Sequence, residues 1–312
     1  MTDFKEIGRR LKAYRIGRGM AAEDIAGKLG ISRAAVYRIE NGDVVKIETL
    51  ERLAGVLKTS LASLLDVSIE YHTSAISYFE RMRQIEESSD QVVAHFPPIS
   101  YLLTSDGYAV YLRKTLIESL PPGVEDRTAA VREIDTVIAI LGERRKARHE
   151  RRLSVVNFVT IPEIERWLKL GVVGRFDLGD EEVAARRLAA RVEVEHLLDL
   201  TESAPMGIQI ALIEETLPNI TFQLFRSKQK TTLGLSPFRL GGDLPNIRMG
   251  VAMVTADEQP VSLYEKLAED LWQRALKGSD AVKRLRAVLE RSGIEDARAA
   301  APARRAAKRA RG

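Results

Sequence analysis

The sequence predicts an α+β protein: a five-helix domain at the N-terminus, then a mixed helix and strand domain with a small, mostly antiparallel sheet. Three observations carry this. The first 65 or so residues repeat apolar side chains at helical spacing. Beyond about residue 153, β-branched runs appear between turns containing Pro and Gly. Amphipathic stretches long enough for helices separate and follow those runs.

Taken in order, Phe4, Ile7, Leu11 and Tyr14 fall at i, i+3, i+7 and i+10, one stripe of a first helix. Ile25, Ala26 and Leu29 stripe a second, and Val36 and Ile39 a third. Leu50, Leu53, Ala54 and Leu57 mark a fourth; Leu61, Leu64 and Leu65 mark a short fifth, closing a domain over residues 4–66. Residues 67–74 read as a linker to a second domain over 75–292. There "AISYFERMRQIEES" predicts a helix at about 75–89. Pro97-Pro98 interrupts the chain, and another helix is expected near 107–119, before Pro121-Pro122. A long helix over 126–150 buries Val131, Ile134, Val137, Ile138 and Leu141.

"LSVVNFVTI" reads as a strand, and Thr160 with Glu163 makes a capping box for "PEIERWLKL". Asp180 is expected to cap a helix reaching about 200. The stretch 207–256 is strand-rich in "GIQIALI", "ITFQLFR" and "IRMGVAMVT". Helices at 261–277 and 280–291 follow, the second started by Ser279. The last segment, 297–312, is Ala/Arg low complexity and is expected to be a disordered basic tail.

Composition narrows the chemistry. The 312 residues carry a net charge of +4 and no cysteine, which excludes disulfides, thiolate metal sites and cysteine nucleophiles. No apolar run of membrane-spanning length occurs and the N-terminus lacks a signal-peptide core, so a cytoplasmic protein without a membrane partner is expected. The charge is unevenly placed. Residues 1–66 hold 12 Lys/Arg against 9 Asp/Glu, the tail 297–312 holds 6 basic residues and no acid, and the body between is net acidic. Only the two ends suit a polyanion.

The stretch "AGKLGISRAAVYRIENG", 26–42, has the parts of a helix-turn-helix. Ala26 is small enough for two helices to cross, Gly30 is free to take positive φ in the turn, and Ile25, Leu29, Val36 and Ile39 face inward. In such a unit the outer face of the second helix enters the major groove of DNA. Together with "IGRRLKAYRIGRGM" before it and "IETLERLAGVLKTSLASLL" after it, this run resembles the Cro/C1 (XRE) family of helix-turn-helix regulators over residues 4–66.

The resemblance implies double-stranded DNA as partner and association with the nucleoid when bound. It places base-reading positions at Arg33, Ala34 and Arg38, with Tyr37 on the same face, and phosphate contacts at Ser32 and Lys46. Arg15 and Glu40 match a structural ion pair that orients the recognition helix, in support of Ala26, Gly30, Val36 and Ile39. The chain departs from the family in having Ala21 and Ala22 where a capping residue and a Gln are frequent. The absent cap is expected to cost ~1 kcal/mol of local helix stability.

The body offers no catalytic constellation. His72, His95, His149 and His196 are scattered and fit neither a His-Glu-x-x-His metal site nor a cupin; "ESAPMG" at 202–207 is a weak serine context. Glu193, Glu195 and His196 read as a solvated helix face, and "RRKARHERR" at 144–152 as either an exposed basic patch or a helix face. In order, "FERMRQIEE", "HFPPISYLLTSDGYAVYLR", "ERRKARHERRLSVVNF" and "ITFQLFR…GLSPFRL" resemble the uncharacterised C-terminal domain of actinobacterial regulators of this type. That resemblance implies a sensory, dimerisation or partner-binding role.

The expected function is therefore that of a sequence-specific DNA-binding transcriptional regulator. It is not an enzyme, has no cofactor, metal or catalytic residues, and acts as a homodimer with a small-molecule or protein effector at its C-terminal domain. Two other readings stay open: an antitoxin-like or adaptor protein that binds a partner protein, and a DNA-regulated hydrolase.

Overall fold

The computed structural model describes residues 4–65, 69–215, 217, 221–241 and 245–294. Five helices open the chain: α1 (Phe4–Gly17), α2 (Ala22–Leu29), α3 (Arg33–Glu40), α4 (Ile47–Leu57) and α5 (Leu61–Leu65). Their apolar stripes converge on one core containing Ile7, Leu11, Tyr14, Ile25, Leu29, Val36, Leu50, Leu53, Leu57 and Leu64. The helices are too short to be stable alone in water, so the shared core holds them.

The rest of the chain forms β1 (Ile69–His72), α6 (Ala75–Glu86), β2 (Gln91–His95), α7 (Tyr108–Glu118), α8 (Arg127–Arg151), β3 (Ser154–Thr160), α9 (Ile161–Leu170) and α10 (Asp180–Ser203). It continues with β4 (Ile208–Ile213), β5 (Thr221–Arg226), β6 (Thr231–Ser236), β7 (Ala252–Thr255), α11 (Glu258–Arg274) and α12 (Gly278–Arg291). The strands make one seven-stranded sheet in the order β1-β7-β6-β5-β2-β3-β4. Strands β2, β3 and β4 run parallel, joined by helical crossovers; the pairings on the β5 side are antiparallel. On one face Val92, Val155, Leu212 and Phe225 pack under α6 to α10 and α12. On the other, Val93, Val156, Phe158, Phe222 and Leu224 are covered by α11 through Val261, Ala268 and Leu271.

The α+β class and the mostly antiparallel pairing agree with expectation, four of the six strand pairings being antiparallel, but the sheet is larger than expected and three of its strands are not legible in the sequence. Strand β1 lies in the stretch read as a linker, 67–74, where the described residues 69–72 pair with β7. Strand β2 is buried on both faces, which removes the alternation that marks a half-exposed strand. Strand β6 runs unbroken through Gly234, which weakens its sequence pattern and leaves room for Tyr78 and Met82 packing from α6. The predicted "IRMGVAMVT" strand shrinks to 252–255.

Local caps also differ. The Thr160 hydroxyl donates to Glu163 at 2.8 Å and makes no bond to a backbone N–H, Asp180 is the first helical residue behind Gly179, and α12 begins at Gly278 behind Lys277. The expected disordered tail, 297–312, lies outside the described residues.

The five-helix domain is seated directly on the body. Helix α1 crosses α6 so closely that a Cβ at Gly17 would overlap Ser77. Beside this crossing, Arg10 donates to Glu70 at 2.7 Å, and Arg81 of α6 donates to both oxygens of Glu70 at 2.8 and 3.0 Å and to Glu6 at 2.8 Å. Tyr14 stacks on His72 with ring centres 4.9 Å apart, and its hydroxyl donates to the Tyr71 carbonyl at 2.9 Å. Burial, reinforced by the charge of Glu70, pushes the Tyr14 phenol up to about 12.

Candidate nucleic-acid interface

The site is built from α2, its turn and α3. Helix α2 ends at Gly30, which takes φ 69° and ψ 33° and donates back to the Ala26 carbonyl. A residue with a Cβ would be strained there, so this glycine makes the sharp turn possible. The N-terminus of α2 is better served than Ala21 and Ala22 suggest, because the Asp24 carboxylate accepts from the Ala21 N–H at 2.7 Å. The expected capping loss is therefore offset by the neighbouring half of a capping box.

Ser32 caps α3, its hydroxyl oxygen accepting from the Ala35 N–H at 3.1 Å. That bond uses an oxygen lone pair and leaves the hydroxyl proton for an external acceptor. Val36 is buried and Ile39 partly buried against the domain core, while Ser32, Arg33, Ala34, Tyr37 and Arg38 are exposed. The inner face of the helix is pinned from behind. Arg15 donates to both oxygens of Glu40 at 2.6 and 3.0 Å and also to the Met20 carbonyl. The bonds to Glu40 hold the Arg15 guanidinium even more firmly protonated than usual. A Cβ at Gly8 would overlap the carbonyls of Ile39 and Glu40, so α1 and the end of α3 meet backbone to backbone. Gly8 is not legible in the sequence, because a glycine within an amphipathic stripe gives no sign of what it faces.

The exposed cations differ in how they are held. Arg33 is ion-paired with Glu23 at 2.8 Å, donates to the Tyr37 hydroxyl at 3.3 Å and lies over the Tyr37 ring at 5.3 Å. Arg38 is 69 % exposed and among the described residues reaches only Asp43, at 3.9 Å. Lys46 stands exposed at the start of α4, across the loop from α3. Several other basic residues of the domain are structural. Arg52 closes the end of α2 on the Leu29 carbonyl, and Arg18 closes the end of α4 on the carbonyls of Leu57 and Lys58.

In the body, two side-chain groups lie otherwise than read from the sequence. Arg144 is buried, donates to Glu86 and Gln223 and lies over the Phe79 ring; Arg145 donates to the Ser105 carbonyl at 2.6 Å. The run 144–152 is thus no continuous exposed patch. Glu193 is buried, accepting from the Ser105 amide at 2.9 Å and from its hydroxyl; burial raises its pKa despite those bonds. Among the described residues no three His, Asp or Glu side chains are grouped to hold a metal ion, and no helix is long and apolar enough to cross a membrane.

Of the comparisons with known proteins, one bears on this geometry. No curated protein matches the chain. Among solved structures, the chain is similar to that of TrmBL2, described as an archaeal chromatin protein with a novel mode of DNA binding, at 9 % identity and a TM-score of 0.31. The match covers 74 % of this chain and 60 % of the other, and a likeness so slight carries no argument. A family model for the helix-turn-helix matches residues 11–71. The match runs from the middle of α1 through β1, past the domain end expected at 66, and includes all of α2 and α3. The N-terminal part of the chain is accordingly similar to helix-turn-helix domains, in keeping with the resemblance that its sequence carries.

Proposed function

We propose that the protein is a sequence-specific DNA-binding transcriptional regulator whose recognition helix is α3. The observation that carries this reading is the division of α3 into two faces. Val36, Ile39 and Glu40 are held against α1 and α2, and Arg33, Ala34, Tyr37 and Arg38 point outward from a helix that cannot roll. Arg38 suits the O6/N7 edge of guanine through two parallel donors, and Arg33 does so once it exchanges Glu23 for a base. Ala34 is small enough to meet a thymine methyl. Ser32 and Lys46 supply phosphate contacts, and the basic segment 298–311 adds a salt-sensitive, sequence-independent component.

The body acts in dimerisation and in sensing an effector or partner. One such domain covers too little DNA for tight specific binding, and two domains on paired half-sites remedy this. The cytoplasm, and the nucleoid when the protein is bound, is the corresponding location. Genomic footprinting of the full chain tests the reading. Protected sites sharing a repeated or palindromic half-site support it, and protection without any common sequence overturns it.

A further inference from the structure

Between the helix-turn-helix domain and the body lies a cavity of about 290 Å³. Its walls come from both sides: Tyr14, Arg18, Lys58 and Ser60 from the first, Thr73 and Ser74 from the second. A second cavity of about 250 Å³ adjoins it and shares Gly17, Arg18, Thr73 and Ser74. The larger volume is close to the lower end of the range for small-molecule sites, roughly 300–1,000 Å³.

The chemistry of the lining is one-sided. Among the described residues no carboxylate lines the larger cavity, whereas two cations and six Ser or Thr hydroxyls do. Arg18 keeps its place through the carbonyls at the end of α4, with Nε and Nη2 engaged and Nη1 left over. Lys58 makes no side-chain hydrogen bond or ion pair among the described residues. It also occupies the left-handed region, with φ 48° and ψ 48°, at the end of α4. Glycine is the unstrained choice at that helix end. The chain instead carries an ammonium group there, at the rim of a cavity that no described carboxylate lines. Hydroxyl donors converging with an arginine and a lysine are the surroundings that a phosphoryl group requires.

We propose that this junction is an effector site for a small phosphate-bearing molecule, which binds Arg18 and Lys58 on the helix-turn-helix domain and the hydroxyls of Thr73 and Ser74 on the body. A ligand touching both sides stabilises their seated arrangement and alters any property that depends on it. Its action on DNA binding rests on the function proposed above; the binding itself does not.

The test therefore begins without DNA. The full chain is titrated calorimetrically with inorganic phosphate and with glycerol 3-phosphate, at ionic strength held constant with sodium chloride. Lys58→Gly removes the ammonium while suiting the backbone, so folding is preserved; Lys266→Ala, an exposed lysine on α11 remote from the junction, is the control. Saturable binding is expected in the wild type and the control, weakened about tenfold in Lys58→Gly. Tighter binding of glycerol 3-phosphate marks a phosphate ester as the ligand class, and tighter binding of inorganic phosphate marks the free ion. No saturable binding at millimolar concentration, or equal binding by Lys58→Gly, overturns the site. Repeating the titration on a footprinted DNA fragment then reads the coupling. An unchanged DNA affinity at saturation refutes the effector role, whereas failure to bind any DNA refutes the regulator reading and leaves the site standing.

Discussion

Arg10 in the first helix and Glu70 in the first strand are joined by a buried ion pair of 2.7 Å, with their side chains 1 % and 5 % exposed. The pair ties the helix-turn-helix domain to the sheet, and Arg81 shares the same carboxylate from the body side. Burial alone would raise the Glu70 pKa, but Arg81, His72 and Arg10 together draw it well below the usual carboxylate range. Glu70→Gln leaves two buried guanidinium groups short of their main counter-charge, and removing one member of a buried pair costs about 3–5 kcal/mol. We expect a loss of that size in denaturant unfolding of the full chain, and it should persist at high salt because the pair is shielded from solvent. A loss that disappears at high salt would assign the pair to the surface.

This relationship also shows where the sequence stops being legible. The helix-turn-helix could be read because its information is local: Ala26, Gly30, Val36 and Ile39 lie within one short run, and each acts on its neighbours. Glu70 acts on residues 60 positions before it and 11 after it, and a lone acid in a polar stretch announces neither partner. Strand β1 looks like linker in the sequence for the same reason, since its four residues gain their meaning only from pairing with β7. Buried Glu193 and Arg144 were equally opaque, because charged residues on long helices usually face water.

Acidification should weaken the fold in two separate steps. His72 and His95 are both held below the usual histidine range, chiefly by burial. His72 sees Glu70 from its own strand, Arg10 and Tyr14 from α1, and Ser77 and Arg81 from α6. Such an imidazole takes up its proton near pH 6.5 when unfolded but only at lower pH when folded. The unfolded state then binds more protons, so stability falls as the pH drops below about 6.5 and levels off beneath the folded value. Glu70 has the opposite origin but the same sign: its contribution is complete above about 4.5 and is lost only as the pH falls through its depressed folded value. Unfolding midpoints should therefore slope downward as the pH is lowered from about 6.5. His72→Gln should flatten part of that slope, and an identical profile would locate the titration elsewhere.

The two exposed cations at either end of the proposed recognition surface should separate by the kind of loss they cause. Arg38→Ala is expected to weaken binding to a footprinted site by ~1–3 kcal/mol and to relax preference at one base position. Lys46→Ala should weaken binding to specific and random DNA alike and lower the salt slope by about 1. Fluorescence anisotropy on both DNAs at several salt concentrations distinguishes them. If Arg38→Ala lowers both affinities equally, Arg38 meets only phosphate.

The close approach of α1 and α3 can be tested through a glycine that the sequence does not advertise. Gly8 lies in α1 where a Cβ would overlap the carbonyls of Ile39 and Glu40, whereas Gly55 in α4 has open space around the same atom. Intrinsic propensity favours alanine over glycine in a helix interior by about 0.8–1 kcal/mol at both positions. At Gly55 nothing opposes it, so Gly55→Ala should raise stability by that amount or slightly less. At Gly8 the obstruction is backbone, which cannot swing aside like a side chain, and forcing α1 away from α3 costs about 1–3 kcal/mol or more. The net effect of Gly8→Ala is thus destabilising despite the better propensity. Because the displaced carbonyls belong to the end of α3, the same change should tilt the helix that carries Arg38 and lower DNA affinity beyond what unfolding explains. Thermal unfolding of both variants, with DNA binding measured well below the transition, checks the pair; stabilisation by Gly8→Ala would mean that the two helices do not touch in solution.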